Sequence, residues 1–272
     1  PATKNDSVGH LLIENEFLRV SIDPKQDFGT LRSFFNKMTG KELSCTTINN
    51  IDGAAALRTG LGRRLWRHPN AHQFLAKKEE EGPEHTQILR SSFRWTGEIK
   101  GSDYDFLFEV KYSLKAGESR LRVDWKISNL AGESRPVSAW LHGIMLQRGK
   151  FYTVVPEGFG DGRRPRGNGF FSPVTNWMAN TGEQTYFTAV ELSKVHEYYM
   201  WTDSEFSGSK LPYTLEVIYQ QEYLPPGGTW QTTFFLGMAL PLPNVAFACP
   251  EAAIAMEPLL AEKTGPQDVS IS

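Results

Sequence analysis

The chain has 272 residues, with 29 Lys and Arg against 31 Asp and Glu, giving a formal charge of −2. That balance argues against a nucleic-acid binder working by charge, because neutralising phosphates needs a net basic surface. Hydrophobic residues make up 40 % and charged residues 22 %, proportions that exclude a disordered chain and fit a globular one.

A chain this long buries enough surface to need no covalent staples. Its two cysteines, Cys45 and Cys249, therefore read either as one bridge or as two free thiols. No apolar run reaches the roughly 18 residues that a spanning helix needs, so no membrane-crossing helix is expected. Pro1 to Asp6 is polar and lacks a basic, apolar, small-residue signal pattern. Three origins stay open: a cytoplasmic protein, a periplasmic or secreted chain whose signal has been removed, or a domain of a longer protein.

Strand signals dominate from the start. Leu11 to Ile13 and Phe17 to Ile22 flank a polar Glu14-Asn15-Glu16 corner and read as a hairpin. Leu31 to Phe35 follows Gly29, and Asn36 to Lys41 is a turn. His72 to Glu81 carries the weak helical signal of one or two turns. In the middle, Tyr104, Phe106, Phe108, Val110, Tyr112 and Leu114 alternate with mostly polar neighbours. Leu121, Val123, Trp125 and Ile127 then alternate with Arg122, Asp124, Lys126 and Ser128. Two such runs joined at Lys115-Ala116-Gly117-Glu118 predict a long antiparallel hairpin with one apolar and one charged face.

Further strands fit Val137 to Leu146, Thr185 to Glu191, Tyr198 to Trp201, Leu215 to Gln220 and Trp230 to Leu240. Leu224-Pro225-Pro226-Gly227-Gly228 is a rigid turn before the last of these. A short helix is expected near Glu251 to Glu262, then a polar tail to Ser272. Many short strands with Gly and Pro turns, and no shift in composition, predict one all-β domain over residues 1–272, a large antiparallel sandwich with its core at 11–240.

Several motifs are missing: a phosphate loop, a dinucleotide glycine fingerprint, HExxH, CxxC and GxSxG. Six histidines remain. His142 sits inside the apolar run Ala139 to Leu146, where an imidazole facing a cleft could exchange protons near neutral pH. A hydrogen-bonded structural histidine is the alternative. Glu216 lies in Tyr213 to Tyr219 and shares a face with Thr214 and Ile218, opposite Leu215, Val217 and Tyr219. A carboxylate on a partly apolar face suits general-base work, and an exposed strand carboxylate is the alternative.

The loop from Pro156 to Phe171 is rich in glycine and holds Arg163, Arg164 and Arg166 within four positions. Guanidinium forks there could grip an acidic ligand, or be neutralised by Glu157 and Asp161. His68 and His72 flank Pro69, which makes a regular metal-binding helix doubtful. Among the aromatics, Trp66, Trp177 and Phe171 lie near predicted loops and could stack on a sugar, whereas the alternation turns Trp125 to the core.

The order of these features resembles the galactose mutarotase-like superfamily. Leu12 to Val20, Gly29-Thr30-Leu31 and Asn36-Lys37-Met38-Thr39-Gly40 look like its opening strands and turn. Val123 to Asn129, then Pro136-Val137 and His142, are similar to its strand, Asn, Pro-Val, His arrangement. Leu224 to Gln231 looks like its closing Leu-Pro-Gly and aromatic strand. The resemblance implies a β-supersandwich with a sugar cleft on a concave sheet. By analogy with its aldose 1-epimerases, His142 would protonate the ring oxygen and Glu216 would remove the anomeric hydroxyl proton. Arg58 or Arg63 would match an early substrate-binding arginine, whereas the family's glycine-rich histidine segment has no clear counterpart, His68 to His72 being a poor substitute for it. There are departures: the strand around His142 reads Leu-His-Gly-Ile, not the Asn-His-x-Tyr-Phe-Asn of the epimerases, and only 74 residues separate His142 from Glu216.

Three readings follow. The first is a mutarotase-like isomerase using His142 and Glu216, with Arg58, Arg63, His72, Trp66 and Trp177 around the sugar. The second is a lyase acting on uronic acids, motivated by Arg163, Arg164 and Arg166. The third is a non-catalytic carbohydrate-binding sandwich within a larger protein. No cofactor is implied, although a structural Ca²⁺ would suit the fold. The oligomeric state is left open.

Overall fold

The computed structural model describes residues 9–24, 30–44, 56–61, 64–66, 71–81, 85–99, 101–142, 145–148, 152–154, 163–164, 169–202, 210–242 and 245–254. Among them the structure is almost all strand, with one 3₁₀ turn at Leu192–Lys194 and no α-helix. The N-terminal sheet is β1 (Leu11–Glu14), β2 (Leu18–Ile22), β3 (Leu31–Asn36) and β4 (Lys41–Glu42), in that order.

Two large sheets form the sandwich. The nine-stranded sheet runs β15 (Arg163–Arg164), β14 (Tyr152–Val154), β17 (Trp177–Thr181), β18 (Thr185–Val190), β22 (Thr229–Ala239), β10 (Arg120–Asn129), β9 (Ser102–Leu114), β8 (Thr86–Ile99) and β7 (Ala71–Glu81). The seven-stranded sheet runs β16 (Gly169–Phe171), β19 (Val195–Thr202), β20 (Lys210–Tyr219), β12 (Ala139–His142), β5 (Ala56–Leu61) and β6 (Arg64–Trp66). In addition, β13 (Met145–Arg148) pairs with β20. Two ribbons complete the chain: β11 (Arg135–Val137) with β21 (Glu222–Leu224), and β23 (Phe247–Ala248) with β24 (Ala253–Ile254). Every described pairing in the two large sheets is antiparallel, as an all-β meander of this kind requires.

The predicted central hairpin is β9 and β10, paired in register from Asn129↔Phe106 to Arg122↔Ser113. Its apolar positions are buried at every second residue, and that face supplies much of the core. Burying each large side chain there contributes roughly 1.5–3 kcal/mol. Aromatic contacts bolt the two large sheets together. The Trp125 ring from β10 meets Phe234 edge-on at 4.7 Å and Tyr219 of β20 at 6.4 Å, and Tyr219 meets Trp230 at 5.2 Å.

Several elements differ from the sequence reading. The expected strand from Val137 to Leu146 is divided among β11, β12 and β13. His72 to Glu81 is strand β7, not helical turns, because β8 beside it supplies a hydrogen-bonding partner over nearly its whole length. A bulge between His72 and Leu75, with Gln73 at φ 54°, breaks its apparent period. Its Lys77-Lys78-Glu79-Glu80-Glu81 run makes a charged edge, which discourages edge-to-edge pairing. The long strand β8 went unpredicted, although Leu89, Ser91, Phe93 and Trp95 are buried in alternation with Arg90, Ser92 and Arg94. The C-terminal helix expected from Glu251 is replaced at its start by the β23–β24 ribbon. Residues 255–272 lie outside the described residues. Cys249 is a free thiol, and Cys45 lies outside the described residues.

Candidate active site

Several local devices fix where His142 falls. Asn129, fully buried at the end of β10, donates from its side-chain amide to the carbonyls of Glu133 (2.8 Å), Leu224 (2.8 Å) and Pro225 (3.2 Å). It thereby ties the chain leaving β10 to the Pro-Pro-Gly-Gly turn, 95 positions later. That turn has Pro226 at its second position and Gly227, with φ 73°, at its third, and the Gly228 N–H donates to the Pro225 carbonyl at 2.8 Å. This is the type II arrangement, which needs the positive φ that glycine adopts without strain.

From that anchor β11 pairs with β21, with Pro136 opposite Tyr223. The buried Ser138 hydroxyl then donates to the Tyr219 carbonyl at 2.8 Å. Next β12 pairs with β20, Trp140 opposite Ile218 and Leu141 opposite Val217. Continuing this register by one residue sets His142 against Glu216.

The two side chains do meet: His142 Nε2 lies 3.8 Å from Glu216 Oε1. The pleat decides which side they share. Leu141, Leu215, Val217 and Tyr219 belong to the core between the sheets, so His142 and Glu216 project from the opposite face. Glu216 is 3 % exposed and His142 keeps 14 % of its side chain accessible. The carboxylate is thus buried and not an exposed strand residue, and neither group lies in the interlayer core.

Neighbours from adjacent strands surround the pair. Tyr199 on β19 is the register partner of Glu216, and Phe170 on β16 is the partner of Tyr199. The Phe170 and Tyr199 rings sit 4.6 Å apart, tilted by 41°. Burial, and then the negative charge of Glu216, push the Tyr199 phenol above its ordinary range, so it stays a donor. Glu197, 8 % exposed, sits one row away opposite Ile218 and has the His196 imidazole 3.8 Å from its carboxylate. Trp140 and Ile218, at 4 % and 1 %, complete the apolar surround.

The other expected site residues are dispersed. Arg58 is the register partner of Trp140 on β5, beside the strand that carries His142. Trp66 lies on β6, at the edge of the same sheet. Arg163 and Arg164 form β15, an edge strand of the nine-stranded sheet, where they pair with Val154 and Thr153. His72 lies on β7 at that sheet's other edge, opposite Arg94. Arg63 and Arg166 lie outside the described residues.

Trp177 requires a correction. It is 3 % exposed and packs with Ala179, Phe187, Val245 and Ala248 in a second apolar cluster, so it offers no ring to a sugar. Phe171 likewise packs on the main core, while its neighbour Phe170 is the ring that meets Tyr199. Phe170, Tyr199 and Glu197 were missed in the sequence. Strand parity could have found them, since Tyr199 alternates with the core residues Tyr198 and Met200.

A groove of about 970 Å³ opens elsewhere, on the charged face of the nine-stranded sheet. Its described lining carries six basic and three acidic residues, and each of the three acids is paired: Asp124 with Arg122, Glu109 with Lys126, and Glu191 with Lys194. Neither His142 nor Glu216 lines it, and no histidine is among its described lining residues. The wall is a solvated, mixed-charge sheet face, and the His142–Glu216 pair is the better candidate for acid–base chemistry. Among the described residues no three His, Cys, Asp or Glu side chains converge as a metal site requires. No helix among them is long and apolar enough to cross a membrane.

Neither known family profiles nor curated protein sequences match the chain. Solved structures do. A galactose mutarotase-like protein from Lactobacillus casei superposes with a TM-score of 0.59 at 12 % identity, over 85 % of this chain and all of that one. A galactose mutarotase related enzyme from Lactobacillus acidophilus gives 0.57 at 12 %, over 88 % and 100 %. A TPR-domain containing protein from Parabacteroides distasonis gives 0.61 at 13 %, over 92 % of this chain and 50 % of that one. The chain has the galactose mutarotase-like fold, an antiparallel β-supersandwich.

Proposed function

We propose that the protein interconverts the anomers of a pyranose sugar, with His142 as acid and Glu216 as base. The observation that carries this reading is the 3.8 Å approach of the imidazole to the carboxylate on the face turned away from the core. An anomeric centre bears its hydroxyl and its ring oxygen on one carbon. An acid and a base serving those two oxygens must therefore be close neighbours, which a cross-strand pair provides.

Glu216 takes the proton of the anomeric hydroxyl as its oxygen becomes a carbonyl oxygen. The bond from the anomeric carbon to the ring oxygen breaks, and that oxygen receives the proton of His142. Rotation about the bond to the next carbon turns the carbonyl over. Ring closure on the other face then runs the two transfers backward, with protonated Glu216 as donor and neutral His142 as acceptor. Both groups end as they began, so no co-reactant is consumed.

The test is the approach to anomeric equilibrium of freshly dissolved hexoses, followed by polarimetry or NMR. Wild-type protein should speed it, and His142→Ala should not. An equal rate with and without wild-type protein overturns the reading.

A second reading has one observation in its favour. The Parabacteroides protein is matched along only half its length, so this sandwich also occurs inside larger chains. A binding module would retain saccharides without turning them over, which product analysis after calorimetry resolves. The uronate lyase reading has no comparable support. Of its arginines, Arg163 and Arg164 stand on β15 of the nine-stranded sheet, whereas the acid–base pair stands on the seven-stranded one.

A further inference from the structure

We infer that Phe170 and Tyr199 form a platform for a second sugar ring, so that the ligand is the reducing end of an oligosaccharide; this rests on the sugar reading above. Register puts Phe170, Tyr199, Glu216 and His142 in one row across β16, β19, β20 and β12. Neighbouring strands are about 4.8 Å apart. The centre of the aromatic pair is thus displaced by two strand spacings, roughly 10 Å, from the centre of the acid–base pair. One pyranose engaged by His142 and Glu216 does not also cover Phe170, but a ring joined to it does.

The platform has the surface for that task. Phe170 and Tyr199 are half-buried, neither sealed in the core nor projecting freely. Phe171, the next residue, turns into the core, which fixes Phe170 on the opposite face. Flat rings of this kind pack on the C–H face of a sugar and exclude water from it. Tyr199 joins the two halves. Its ring contacts Phe170, and its phenol feels the charge of Glu216, remaining protonated as a donor to a hydroxyl between the rings.

Calorimetry with glucose, galactose, cellobiose, maltose and lactose tests this on the full chain. At least one disaccharide should bind about tenfold more tightly than its reducing-end monosaccharide, the gain expected from stacking one ring. Phe170→Ala should abolish that advantage while leaving monosaccharide affinity unchanged, and Tyr199→Ala should abolish it as well. Phe170→Leu, which keeps apolar bulk without a flat face, should lose most of it in a protein with a wild-type circular dichroism spectrum. Equal affinities in the wild type, or a preference that survives Phe170→Leu, overturns the platform. Disaccharide preference without anomer interconversion leaves the platform standing and removes the acid–base reading. Interconversion without the preference does the reverse, and absence of binding to every sugar overturns both.

Discussion

His142 and Glu216 face one another across neighbouring antiparallel strands, imidazole nitrogen to carboxylate oxygen at 3.8 Å, on the side of the sheet away from the core. If they act as acid and base, the two groups work as one unit. His142→Gln and Glu216→Gln should each lower the rate of anomer interconversion by about 10²–10⁴-fold. The double variant should be little worse than either alone. Unaltered thermal melting would separate loss of chemistry from loss of fold. Losses that simply multiply in the double variant would show that the two do not share a step.

The β18–β22 pairing sets Phe187 directly across from Gly237. A Cβ on Gly237 would fall 2.0 Å from the Phe187 ring, too close without moving the ring out of the cluster it shares with Trp177 and Val245. Gly237→Ala should therefore destabilise the protein by about 1–3 kcal/mol, the usual cost of overpacking. Urea denaturation measures this, and combined with Phe187→Ala the two losses should be less than additive, because the clash disappears with the ring.

Asn129 links the end of β10 to the turn before β22 through three carbonyls. Asn129→Ala would strand the buried Leu224 carbonyl, at a cost of about 1–3 kcal/mol, and remove the part-buried bonds to Glu133 and Pro225. Hydrogen exchange should quicken first at Gly227 and Gly228, whose N–H groups donate to the Asn129 and Pro225 carbonyls within that turn. If β12 loses register with it, anomer interconversion falls as well, although Asn129 lies on another sheet from His142.

Alkaline stability should be governed by tyrosines. Burial raises the phenols of Tyr112, Tyr186, Tyr198 and Tyr219 far above the ordinary value of 10.0. In the unfolded chain they ionise near that value while the folded chain keeps its protons. The folded state then binds more protons, so stability is intact below pH about 10 and falls as pH rises beyond it. Each phenol contributes about 1.4 kcal/mol per pH unit. Phenolate absorbance for these four should appear only with unfolding, in one cooperative step. A gradual rise in the folded state would contradict it.

Much of the fold was legible because burial leaves a period-two trace. Tyr104 to Leu114 and Leu121 to Ile127 show it fully, and the turn at Pro225 to Gly228 is written in residues with restricted or unusual φ. The trace fails where a strand is an edge, as in β7, whose charged outer half mimics a helical surface. It also failed for Trp177 and Phe171. Both stood near predicted loops, but a strand's parity relative to the core decides which of two adjacent rings faces out.

The sequence by itself determined an all-β sandwich, its long hairpin, its rigid turn, and a short list of residues able to move protons. Those are local properties, set by backbone preference and by alternation along a single strand. Only the tertiary structure decided that His142 meets Glu216, that the arginines of β15 stand on the other sheet, and that Phe170 joins Tyr199. Such relations depend on register between strands distant in the chain, and register follows from packing and from ties like Asn129, which no single segment encodes.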